Sequence, residues 1–135
     1  MRDYVRSQTA NLLRRLAFQV SRAAKSGDPE AIHEVRVSIR RFSQCLRVFA
    51  QFYPGNSWKK VRRQLDGLMD KAGSVRDLDI AMELLDDAGV GAGSPVVTRL
   101  REERRQAQRN LLQEIRLWKS RGFSKQWRSR LDLTA

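Results

Sequence analysis

Apolar residues recur every three to four positions along almost the whole chain. Nowhere do they alternate in the period of two that a half-buried strand needs. That periodicity restricts the chain to an all-α fold. Three prolines, Pro29, Pro54 and Pro95, divide it, each at a place suited to the start or end of a helix. The first segment runs from about 2 to 26 and places Val5, Leu12, Leu16, Val20 and Ala23 on one face. "SGDPE" interrupts it, with Gly27 as a stop, Asp28 as an N-cap and Pro29 in the first turn. The second runs from about 29 to 53 and is closed by "YPGN". The third begins near Ser57 and continues to about 88, with Gly73 as a place to bend. "GVGAGSP" is a loop, and a fourth segment follows from about 95 to 121, with Val97, Leu100, Ala107, Leu111, Ile115 and Trp118 on a common face. Phe123, Trp127 and Leu131, four apart, give the tail a short fifth helix. The expected architecture is one domain over residues 1–135, an antiparallel four-helix bundle with a short C-terminal helix.

At 135 residues, 41% of them apolar, the chain is long enough for one proper core. No apolar run is long enough to span a membrane. The opening "MRDYVRSQTA" has no apolar region of the kind a secretory signal needs. The single cysteine, Cys45, has no internal partner and fits a reducing compartment, so a cytoplasmic location is expected. One cysteine and one histidine are too few for a typical zinc site, and neither a metal nor a cofactor is expected.

The charge narrows the function further. Twenty-seven basic residues against fifteen acidic ones give +12, and arginine outnumbers lysine 21 to 6. The natural partner of such a surface is a polyanion, and the planar fork of arginine grips phosphate oxygens two at a time. The charge is uneven, because seven of the fifteen acids fall between Asp66 and Asp87.

The stretch "IHEVRVSIRRFSQCLRVF", residues 32 to 49, holds the only histidine together with Arg36, Arg40, Arg41 and Arg47. At about 100° per residue, His33, Arg36, Arg40 and Arg47 fall within roughly 60° of one another on the helix, and Gln44 lies beside them. Val35, Ile39, Phe42, Leu46 and Phe49 occupy the other side, which is the core face. A solvated helix face ordinarily mixes signs, but here only Glu34 is near, and it lies off the stripe. The ridge is therefore read as a binding surface about 20 Å long. For His33, contact with ligand and a structural role both stay open. Further cations come from Arg14, Arg15 and Arg22 on the first helix, and from Lys59, Lys60, Arg62 and Arg63 at the start of the third.

"GSVRDLDIAMELLDD", residues 73 to 87, gathers Arg76, Asp77 and Asp79. Paired carboxylates can serve acid–base chemistry or bind magnesium. Asp79, however, projects to the same side as Val61, Leu65, Leu68 and Ala72, where a carboxylate needs a cationic partner. The favoured reading is a structural ion pair, with Arg76 or an arginine of the second helix as the cation. The ten aromatics do not interleave with the basic ridge, so base stacking is weakly indicated, and no Gly-rich phosphate loop is present.

"HEVRVSIRRF" at 33–42, followed by "VRDLDIAMELL" at 75–85, resembles the CHAD family, the conserved histidine α-helical domain. The family pattern is a histidine, an arginine three positions later and an arginine pair four and five after that, which His33, Arg36, Arg40 and Arg41 match. Arg76, Asp77 and Asp79 match its later arginine–aspartate signature. The resemblance implies a non-catalytic helical module that binds inorganic polyphosphate, often in bacteria and often beside a triphosphate-tunnel enzyme domain, and it allows an association with polyphosphate granules. Many such domains hold two four-helix bundles, whereas this chain has room for one, so either it is a half-length version or two copies pair as a homodimer, with the anion holding them together. A sequence-independent RNA- or DNA-binding protein is the alternative, since nucleic acid presents the same charge.

Overall fold

The computed structural model describes residues 1–133 and contains five α-helices. They are α1 (Arg2–Lys25), α2 (Pro29–Val48), α3 (Ser57–Asp87), α4 (Pro95–Ser120) and α5 (Phe123–Arg130). Local chemistry sets their ends. The Asp28 carboxylate accepts from the Ala31 amide at 2.8 Å, and Pro29 fills the first turn of α2. That bond, with a second from the Ser26 hydroxyl at 2.9 Å, holds the Asp28 carboxyl below the usual carboxylate range. Helix α2 stops at Val48, earlier than its apolar pattern suggests, and residues 50–52 form a 3-10 turn before "YPGN". Gly73 does not interrupt α3, which is helical throughout its 31 residues. Gly122, at φ 61°, takes the left-handed turn between α4 and α5 that a side chain would strain.

Consecutive helices pack along one another: α1 on α2, α2 on α3, α3 on α4. The links at 26–28, 49–56 and 88–94 are too short to lead back along a helix, so neighbours in the chain run in opposite directions. Helices α1 and α4 meet only slightly, and α5 lies against α1, α3 and α4. The tail helix is therefore part of the core. Its Trp127 is fully buried, lies parallel to Phe42 of α2 at 6.1 Å between centroids, and packs edge-on to Trp118 and Phe123. Its indole N–H donates to Gln64 Oε1 of α3 at 2.9 Å. Arg6 of α1 pairs with Asp132 just beyond α5 at 2.7 Å.

The core face of α1 differs in detail from the sequence reading. Leu13 and Thr9 are fully buried, while Leu12 is only half-buried. Thr9 satisfies its hydroxyl by donating to Val5 O at 2.7 Å and accepting from the Tyr53 hydroxyl at 2.7 Å, with Cys45 Sγ 3.5 Å away. Burial pushes the Tyr53 phenol well above its ordinary pKa, so it stays a neutral donor. Tyr53→Phe leaves Thr9 without its donor and is expected to cost about 1 kcal/mol, read by urea denaturation. An unchanged midpoint would mean that this bond contributes nothing net.

Candidate anion-binding surface

Helix α2 positions the ridge because its core face is strongly fixed. Ile32, Val35, Ile39, Phe42 and Leu46 are all buried against α1 and α3, which leaves the opposite side to the solvent. Arg40 and Arg47 are exposed there, and His33 and Arg36 are half-buried. Arg47 donates to Gln44 Oε1 at 2.9 Å, a neutral contact that leaves its charge uncompensated. The Arg36 Nε is shielded from water and has no hydrogen-bond acceptor. A shielded guanidinium donor without an acceptor is costly, so the Arg36 side chain gains by turning towards an oxygen acceptor.

Arg41 stands apart from the ridge. It turns towards α1 and shares a groove with Arg14, Arg15, Phe18, Gln19, Glu34 and Ser38. The cations of the first helix are thus brought to α2, but on its other flank. Arg22 is exposed farther along α1. Lys59, Lys60 and Arg63 are exposed and Arg62 half-buried at the start of α3. Because α2 and α3 run oppositely across a short link, these four lie at the Arg47 end of the ridge.

Among the described residues, the ion pairs are Arg6–Asp132, Arg99–Glu103, Arg104–Asp79 and Arg105–Glu102. None of the twelve candidate side chains is in one of them. The paired cations are Arg6 on α1 and Arg99, Arg104 and Arg105 on α4; α2 and the start of α3 carry only unpaired cations among the described residues.

The Arg76–Asp77–Asp79 reading needs correction. Asp79 is paired, but with Arg104 of α4 at 2.5 Å, and neither Arg76 nor Asp77 joins an ion pair among the described residues. Arg104 also donates to Gln108 Oε1 at 2.8 Å and to the Gly27 carbonyl at 2.8 Å, tying α3, α4 and the link between α1 and α2 together. The reason is geometric. Asp79 continues the side of α3 that carries Val75 and Ala72, and that side meets α4 rather than α2 at this level. A signal for Arg104 is present in the sequence: it lies seven residues after Val97 and seven before Leu111, inside the apolar stripe of α4. Arg76, half-buried and released from the structural role, repeats the α3 positions of Arg62 and Met69 at intervals of seven. The opposite edge of α3, at Lys71 and Ser74, faces α4 across a groove with Ala107 and Asn110. Arg76 therefore lies on the α2 side, at the His33 end of the ridge.

Among the described residues, no cluster of His, Cys, Asp and Glu has the size of a metal site, and no helix is long and apolar enough to cross a membrane. Fold and surface together define an all-α module with a cationic ridge along α2. The family model described as CHAD domain matches residues 7–135, and the chain belongs to that family. No curated protein and no solved structure matches it.

Proposed function

We infer that the protein is a non-catalytic module that binds inorganic polyphosphate along the α2 ridge. The observation that carries this reading is Arg36. Its Nε is buried without an acceptor, in the middle of a row of cations that no carboxylate neutralises. With the Arg36 side chain turned outward, a phosphate oxygen supplies the acceptor, and neighbouring phosphates of the same chain meet His33, Arg40, Arg47 and the α3 cations in turn. Membership of the CHAD family supports polyphosphate as the ligand. Arg41 with Arg14 and Arg15 forms a second cationic strip, which a long chain reaches by passing around α2. A polyphosphate longer than one ridge brings two protein chains together, and a place at polyphosphate granules follows from the same affinity.

RNA or DNA held by its backbone is the second reading, favoured by the net charge of +12 alone.

Binding is expected to be steeply salt-dependent. With about four phosphates neutralised, affinity falls roughly 50- to 150-fold between about 50 and 200 mM salt. The measurement is a titration of labelled polyphosphate across that range. Affinity that hardly changes with salt would remove the electrostatic ridge as the cause of binding.

A further inference from the structure

The flank of α2 opposite α3 carries a groove whose apolar wall the polyphosphate reading does not use, although its rim shares Arg40 and Arg41 with that reading. It is an open cavity of about 580 Å³, walled by Tyr4, Leu12, Cys45, Val48 and Phe49 and rimmed by Arg40 and Arg41. Tyr4 is 57% exposed and Val48 60%. Two large apolar side chains left in water beside two free arginines form a surface suited to an apolar ligand with negative charge.

The same chain carries such a surface at its other end. The Asp79–Arg104 pair contacts Gly27, so it lies level with the end of α1 and the start of α2. The parts of α3 after Asp79 and of α4 before Arg104 therefore project beyond the α1–α2 pair. Between Asp77 and Thr98 there are five carboxylates and no Lys or Arg. Of these carboxylates only Asp79 is paired among the described residues. With the whole chain at +12 and this segment at −5, the remainder carries +17. The outer side of the projection is also apolar: Ile80 is 39% exposed and Leu84 63%, four residues apart on one stripe with Asp77 and Asp87.

We propose that the groove between α1 and α2 receives the projecting end of α3 from a second copy of the chain. Ile80 and Leu84 enter the apolar wall, while Glu83 and Asp87 meet Arg40 and Arg41. This is helix-in-groove recognition with opposite charges setting the register. The two surfaces sit at opposite ends of α2, about 30 Å apart at 1.5 Å per residue, so one molecule cannot satisfy itself. The contact is head-to-tail, and it leaves each copy with an unfilled groove or an unplaced tip until a ring closes or a chain ends. It needs no ligand, and because it uses Arg40 and Arg41 it competes with polyphosphate for those two side chains.

The test is charge exchange, followed by sedimentation velocity without polyphosphate at near-physiological salt. Wild-type protein is expected to rise above its 15.6 kDa monomer mass as concentration increases. Glu83→Lys with Asp87→Lys in the tip is expected to abolish that rise, and so is Arg40→Glu with Arg41→Glu at the groove. All four positions are exposed, and circular dichroism verifies that each variant is folded. An equimolar mixture of the two double variants restores complementary pairs and is expected to associate again. Leu84→Ser, which keeps every charge, is expected to weaken association of the wild-type kind. A mixture that stays monomeric overturns the proposal, as does a wild-type protein that stays monomeric at every concentration, or variants that associate as well as the parent.

Discussion

Replacing Arg104 by alanine is expected to destabilise the protein by about 3 kcal/mol and to lower its Tm by roughly 10 °C. Arg104 is the hub of a small, partly buried network. It donates to both carboxylate oxygens of Asp79, to Gln108 and to the carbonyl of Gly27. Its side chain retains 19% of its exposure and that of Asp79 only 9%, so removing the cation strands a carboxylate that water barely reaches. That residual access places the loss at the lower end of the range for buried pairs. Asp79→Ala is expected to cost somewhat less, because the guanidinium keeps Gly27 and Gln108 as acceptors. The double variant Asp79→Leu with Arg104→Met is expected to recover much of the loss, because no charge is then stranded. Thermal melting of the three variants checks this, and their polyphosphate affinity, measured well below each Tm, should equal that of the parent. Wild-type stability in Arg104→Ala would remove the network from the account of the fold.

Arg36→Ala combined with Arg40→Ala is expected to weaken polyphosphate binding about 100-fold, while helical content stays intact. Each charge-assisted bond to phosphate is worth about 1.5–3 kcal/mol, so losing two corresponds to two or more decades. The salt dependence should become shallower as well, by roughly 0.7–0.9 in slope for each phosphate that is no longer neutralised. Stability should change little. Arg40 is exposed, and although Arg36 loses the packing of its stem, its removal also eliminates a buried donor that has no acceptor. Arg36→Lys separates charge from geometry: it keeps the cation but loses the planar fork, and its affinity should fall between those of wild type and alanine. Equal loss of folding and binding would put Arg36 in the core rather than on the ridge.

Much of the fold is legible in the sequence because helix boundaries are local. Pro29, Pro54, Pro95, Gly27 and the loop at 89–94 mark links that the structure places within a few residues of the expected positions. The burial of Asp79 is also legible, since it extends an unbroken series of core positions on α3. Its partner is not, because pairing depends on which helix lies opposite. The place of Arg104 inside the apolar stripe of α4 signals its burial, but not which carboxylate faces it. The role of α5 is tertiary in the same way. Phe123, Trp127 and Leu131 announce a helix, but only the gap between α1 and α4 makes Trp127 a central core residue. For the candidate surface, helical phase alone gathers His33, Arg36, Arg40 and Arg47. That Arg41 shares a groove with Arg14 and Arg15, and that Arg76 and the candidate cations lack carboxylate partners among the described residues, depend on the neighbours of α2.

Competition at matched salt tests the central claim most directly. Labelled polyphosphate bound to the protein is challenged with unlabelled polyphosphate, single-stranded RNA and double-stranded DNA, each at equal phosphate concentration and near-physiological ionic strength. The account predicts displacement by polyphosphate at concentrations at least tenfold below those needed for either nucleic acid, with the difference lost in the Arg36→Ala, Arg40→Ala variant. Equal or stronger displacement by RNA or DNA would contradict it and make the protein a nucleic-acid binder.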